Sequence, residues 1–343
     1  MLTQVPEFLR TTLDPAMYHG HGRSAPYFEG WYYKMVSADE SLRYAVIPGV
    51  ILGEQGHGFI QVLDGSTGRS AYHTYPLDQF AASRSLFDVR IGRSHFTVGG
   101  ITLDVHTAEG QASGEVRFRG VKPWPVTVAS PGIMGWYAWV PRMECYHGVL
   151  SFDHSIEGAL TLDGHTCDWT SGRGYIEKDW GQSFPAAWIW FQSNHFPPPG
   201  TCLTASVALI PWLSGAFRGF IVGLWHEGKL YRFAPYTGAH VEHLTMTDKH
   251  VTWVIRDRYH TLELLAERAE GGLILGPTRL EMGKRVHETL RAAVRVRLTR
   301  AAQVLYEGSG RHAGLEAHGD LDRLLGASPS TDDGSAIRRE IAS

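Results

Sequence analysis

The sequence predicts an all-β chain folded as two tandem antiparallel β-barrels with few short helices, and three observations lead there. Glycine is abundant, at 39 of 343 residues, and aromatic residues make up 11%, a composition suited to many short strands joined by tight turns. Apolar runs of strand length, bounded by Gly, Pro or Asp, recur along the chain: RYAVIPGVIL, HGFIQVL, GFIVGLW, KLYRFAPY, HVTWVI, TLELLAE and AAVRVRLT. The two halves also repeat a series of landmarks in one order.

Near the start, PEFLRTTLDPAM is one of the few helical patterns, and LDRLLGA near the end is the other. Between them, the segments Val62 to Thr67 and Trp225 to Leu230 read as hairpins, each turning through a glycine. The first half carries WYYK at Trp31, AVIP ending at Pro48, GFI at Gly58, TLDV at Thr102, AEG at Ala108 and GRGYIE at Gly172. The second carries WIWFQ at Trp188, ALIP ending at Pro211, GFI at Gly219, TLEL at Thr261, AEG at Ala269 and GRHAGLE at Gly310. Duplication implies two similar sheets of about eight or more strands, a size that closes around one small ligand. The expected divisions are 1–182 and 183–325 as the two barrels and 326–343 as a polar tail.

Composition narrows the function. Net charge is -3, from 32 basic and 35 acidic residues that are interspersed, so the basic footprint of a nucleic-acid binder is not expected. Cys145, Cys167 and Cys202 are scattered and form no CxxC spacing, which argues against a disulfide framework or structural zinc and fits a reducing compartment. The opening MLTQVPEFLRTTLDP lacks the basic and apolar regions of a signal peptide, so a cytoplasmic location is the expectation. The 18 histidines, with His19 and His21 in YHGHG, invite a metal reading. No HExxH or similar ligand spacing accompanies them, and no metal is expected. No dinucleotide-binding GxGxxG or nucleophile-elbow GxSxG is present, and no cofactor is expected.

The densest chemistry lies in GYIEKDWGQSFPAAWIWFQSNHF, Gly174 to Phe196. As extended chain, it sends Tyr175, Glu177 and Asp179 one way and Ile176, Lys178 and Trp180 the other. Trp188, Trp190, Gln192, Asn194 and Phe196 share one face of the following strand, as Glu29, Trp31 and Tyr33 do in PYFEGWYYK. Tryptophan beside Glu or Gln suits a binding cavity, and also an amphipathic sheet surface with satisfied polar groups.

PYFEGWYYK, MECYHGVLSF, this long signature and the late AGLEAHGD resemble the tocopherol cyclase family, from about Pro26 to Asp320. The resemblance implies lipocalin-like tandem barrels, related to carotenoid hydratases and some pericyclases. It also implies an isomerase that closes a chromanol ring by adding a phenolic oxygen of a prenylated hydroquinone across an alkene. Such a reaction needs an acid kept protonated in a water-poor pocket and aromatic faces to stabilise a transient cation. By this reading Glu177 and Asp179 are the catalytic candidates, two carboxyls on one face that raise each other's proton affinity. Plant cyclases tend to carry Asn where Asp179 stands, which favours Glu177. Structural pairing of the two acids with Lys178 or Arg173 is the alternative. Trp31, Trp180, Trp188 and Trp190 are candidates for holding the cation and prenyl chain, and Glu29, Tyr33, His147, Gln192 and Asn194 for the hydroquinone oxygens, while Glu316 mirrors Glu177. A carrier of a hydrophobic small molecule is the second reading, and a hydratase or pericyclase acting on a terpenoid or polyketide the third. A prenyl substrate resides in lipid and implies transient contact with a membrane surface, although no basic amphipathic helix announces it.

Overall fold

The structure, a computed structural model, describes residues 7–212 and 215–326. The fold is all-β as the sequence predicts. Its strands form two antiparallel sheets, of 12 and 10 strands among the described residues, and the α-helices Glu7–Thr12 and Leu321–Gly326 fall on the two helical patterns. All but Gly326 of the expected tail lies outside the described residues. The chain divides into two compact units: one runs to Phe184 and takes in Gly272–Val286, and the other comprises Pro185–Gly271 and the chain from His287.

Both units use one strand order. In the first, Tyr27–Val36 pairs with Arg43–Leu52 on one side and Arg173–Gly181 on the other, and Arg173–Gly181 pairs in turn with Cys145–Leu162. In the second, Ala187–Ser193 pairs with Cys202–Trp212 and with Gln303–Gly319, which pairs with Met282–Arg300. The WYYK, AVIP, GFI and GRGYIE landmarks therefore fall on strands that correspond to those of WIWFQ, ALIP, GFI and GRHAGLE. TLDV and TLEL do not. Two strands separate Gly100–Thr107 from Arg173–Gly181, whereas one separates His260–Glu267 from Gln303–Gly319.

Matching the letters WYYK to WIWFQ also slips the strand by one residue. Trp31 and Tyr33 enter the core of the first unit, but the core residues of the second are Ile189 and Phe191, so Trp188 and Trp190 face away from it. Side chains alternate along a strand, and an offset of one exchanges its faces.

In the first unit the sheet curls until its edges approach. Gly58 lies against Phe80 and Ile91, where a Cβ would sit 3.3 Å and 3.5 Å from their side chains. Inside, Tyr33 donates to the Thr97 carbonyl at 3.0 Å, and Trp31 stacks on Phe87 with ring centroids 5.4 Å apart. Gln61 fixes the outlying strand Gly272–Pro277 by donating to the Leu275 carbonyl (3.3 Å) and accepting its N–H (2.8 Å). The second unit closes its core with Phe191, Phe220 and Trp253 edge to face. Its Trp225–Leu230 hairpin turns through Glu227 and Gly228 at φ +48° and +76°, the left-handed pair that a two-residue turn between twisted strands requires.

Candidate active site

The Arg173–Gly181 strand carries charge on both faces, and antiparallel register decides the company of each charge. Lys178 stands opposite Trp31 and Gly148, while Glu177 stands opposite Tyr32 and Val149, and Asp179 opposite Gly30 and His147. Directly opposed side chains on one face come within contact range. Glu177 and Asp179 thus share a face, as expected, and Lys178 lies on the other.

On the inner face Lys178 is wholly buried. Its ammonium lies 2.5 Å from Glu29 Oε1, 2.8 Å from His19 Nδ1 and 3.0 Å from the Pro15 carbonyl, and the Met17 carbonyl is a further acceptor. Trp31 and Trp180 present ring faces to it at 5.1 Å and 4.7 Å. Burial pulls Lys178 down to about 8, against the opposing pull of Glu29. Burial alone would raise Glu29, but Lys178 and His19 hold it below the usual carboxylate range. His19 is kept neutral by burial and by Lys178, with Nε2 at 3.0 Å donating to the Thr11 carbonyl. The network ties the segment from Thr11 to His19 to the sheet. Gly148 makes room for it, because a Cβ there would sit 3.3 Å from both Pro15 and Trp180.

This geometry gives four of the expected residues partners within the protein itself. Trp31 and Trp180 do surround a cation, but it is the protein's own lysine, since strand alternation turns both indoles away from Glu177. Glu29 is spent on Lys178, His19 and the Tyr27 hydroxyl. Tyr33 is fully buried with its hydroxyl on Thr97. None of the four joins the acid pair.

On the outer face His147 stands between the two carboxylates. Its Nδ1 lies 2.8 Å from Asp179 Oδ1 and its Nε2 3.6 Å from Glu177 Oε2. Tyr175, two residues before Glu177 and on the same face, donates to Glu177 Oε2 at 2.5 Å. Glu177 is 5% exposed, and the Asp179 side chain 27%; Gly30 opposite Asp179 has no side chain to cover it. Burial opposes charge on His147, but Asp179 and Glu177 outweigh it and raise the imidazole to about 9. The expected pair of mutually repelling acids is therefore a pair bridged by a cation. Of the cations considered as alternative partners, Lys178 pairs with Glu29, and Arg173 with Asp153 at 2.8 Å. One donor atom from each of His147, Glu177 and Asp179 lies within 4.8 Å of the others, so the trio has the donor types to hold a divalent cation as well as shared protons.

His147 also lines a cavity of about 330 Å³ in the first unit, together with Trp180, Tyr146, His19 and residues of the Glu7–Thr12 helix and the Gly132–Trp139 segment. The remaining expected residues belong to the second unit. Trp188, Trp190, Gln192 and Asn194 are buried. Trp188 donates to Glu316 Oε2 at 2.7 Å, and Asn194 Oδ1 lies 2.9 Å from His195 Nδ1. Glu316 does mirror Glu177, lying on the corresponding strand and facing away from its core.

A family model described as tocopherol cyclase-like matches residues 94–319, more than half of the chain. The chain belongs to the tocopherol cyclase-like family. It is 28% identical to the chloroplastic tocopherol cyclase of Zea mays over 163 residues, 43% of this chain and 32% of that protein. To a probable chloroplastic tocopherol cyclase of Oryza sativa subsp. japonica it is 28% identical over 187 residues, 50% and 37% of the two chains. The match thus spans about a third of these relatives' length. Among solved structures, CghA aligns over 86% of this chain and 88% of its own, with TM-score 0.53 and 12% identity. A putative AttH from Nitrosomonas europaea aligns over 92% and 97%, with TM-score 0.50 and 13% identity. These likenesses give this family member its fold, a tandem of lipocalin-like antiparallel sheets.

Proposed function

We propose that the chain catalyses an acid-driven, cofactor-independent cyclisation of a prenylated hydroquinone or a related apolar alkene, with Glu177 as the proton donor. The carrying observation is the buried Glu177 carboxyl, hydrogen-bonded by Tyr175 and flanked by a His147 that Asp179 holds in place. The Glu177 proton adds to one alkene carbon and leaves a tertiary cation on the other. The phenol oxygen captures that cation, forming the ring C–O bond, and its proton returns to the carboxylate. Mass is conserved and no electrons are exchanged. Tyr175 and Asp179 act as positioning residues, and His147, charged at neutral pH beside Glu177, hands its proton to the Glu177 carboxylate to form the acid and takes it back once the ring has closed. Excluding water protects the cation from hydration. Trp188 and Trp190 remain our candidates for packing the prenyl chain, and Gln192 and Asn194 for its polar head.

The family match supports this reading. Crystallisation of CghA with Sch210972 supports an organic small molecule as the kind of ligand. Incubating the purified chain with a panel of prenylated hydroquinones and resolving the products by liquid chromatography and mass spectrometry tests it. A same-mass product with shifted retention is expected. A product heavier by one water would instead make the chain a hydratase, and ligand retained unchanged would make it a carrier.

A further inference from the structure

Beside the cavity of the first unit lies a collar of exposed apolar side chains that the chemistry above leaves unexplained. Val128 is 70% exposed, Phe8 49%, Leu9 40% and Val126 38%. They come from two segments, the helix and the 126–128 loop, which Trp139 joins. Phe8 meets Trp139 with ring centroids 5.9 Å apart, and Trp139 donates its indole N–H to the Val128 carbonyl at 2.8 Å. Beside them Trp136 and Tyr137 are half-buried and stacked, with centroids 4.2 Å apart. Phe8 also belongs to the cavity wall, so the collar adjoins the cavity. Exposed apolar side chains gathered in one patch mark an interaction surface, and half-buried Trp and Tyr are the residues that settle where hydrocarbon meets water.

Charge selects the partner. Among the described residues, Arg10, Arg23 and Arg142 have no carboxylate at ion-pair distance, and all three lie on or next to these segments. Glu7, the acid of the helix, is already paired with Arg84 at 3.3 Å. An apolar patch with unpaired cations beside it complements an anionic lipid surface, where hydrocarbon accepts the apolar tips and phosphates accept the guanidiniums.

We propose that this collar is a docking surface for an anionic lipid bilayer and brings the adjoining cavity to the lipid. The idea extends the functional reading without resting on it, since binding to vesicles is measured with no substrate and survives loss of catalysis.

The test is flotation of the purified chain with vesicles of phosphatidylcholine alone or mixed with phosphatidylglycerol, at low and high salt. The expected result is binding to the mixed vesicles that weakens as salt screens it. Val128→Asp and Phe8→Asp together should weaken binding by about tenfold or more. Leu280→Asp, at a site 68% exposed and away from the collar segments, should leave it unchanged, and all these sites are exposed enough for the fold to survive. Absence of vesicle binding, or equal binding by the collar variant, would overturn the proposal. So would sedimentation showing a dimer that the collar substitutions split, because the collar would then serve a second copy of the chain.

Discussion

On the inner face of the Arg173–Gly181 strand, Lys178 has an acceptor in every direction and two indoles above it; on the outer face, Glu177 has Tyr175 and an imidazole shared with Asp179. Both charges are buried, one residue apart in sequence, yet they do different work. Lys178 faces a carboxylate, two backbone carbonyls and a His19 ring that burial and Lys178 itself keep neutral, so its pairing with Glu29 stays as it is. Glu177 belongs to a group of three titratable residues, with a tyrosine, through which protons can be redistributed. Burial of charge therefore does not mark chemistry by itself. A buried charge becomes a candidate for catalysis when its neighbours can exchange protons with it, and remains structural when they only satisfy it.

The comparison can be broken at several points. The largest expected effect is that of Glu177→Gln, which should lower kcat by about 10²–10⁴-fold while ligand affinity, measured by equilibrium dialysis, stays near that of the parent. Undiminished turnover would remove the outer cluster from the mechanism. Next, Lys178→Met leaves Glu29 buried without its cation and should cost about 3–5 kcal/mol of stability in urea unfolding. Adding Glu29→Gln should recover part of that loss. If the single variant is as stable as the parent, the inner cluster is not the structural element described here.

The smallest effect concerns pH. His147 is raised from 6.5 in the unfolded chain to about 9 in the folded one, so it binds its proton more tightly when folded. Its contribution to stability is complete below pH 6.5 and is lost as pH rises through 9. His147→Gln should remove this slope, seen as a melting temperature that falls less between those values than the parent's. Lys178 works in the opposite sense at higher pH. Its folded value of about 8 lies below 10.5, so stability gained from it rises across that interval. A chain whose two variants shift the pH profile in the same direction would contradict the assignment of opposite roles.

Much of this was legible in the residues because alternation is local. The spacing of Tyr175, Glu177 and Asp179 puts them on one face before any partner strand is known, and the corresponding order of landmarks announces two similar sheets. What lay beyond reach depends on register. His147 meets Asp179 only because Cys145–Leu162 pairs with Arg173–Gly181 in one particular alignment, and that pairing shifts twice, between Val149 and Ser151 and between Ser151 and His154. Glu29 finds Lys178 through a contact distant in sequence. The repeat shows the same limit: shared letters located the corresponding strands, but a slip of one residue hid that Trp31 packs inward while Trp188 does not. The apolar collar was invisible for another reason, since its parts come from a helix, a loop and the Gly132–Trp139 segment and form a surface only when folded.

Whether Glu177 hands a proton to a carbon atom is read from turnover in deuterium oxide. With an active prenylated hydroquinone and exchangeable positions washed back to hydrogen, the product should retain one deuterium on the former alkene carbon, and Glu177→Gln should form no such product. A cyclised product with no carbon-bound deuterium, or equal deuteration by the variant, would contradict the claim.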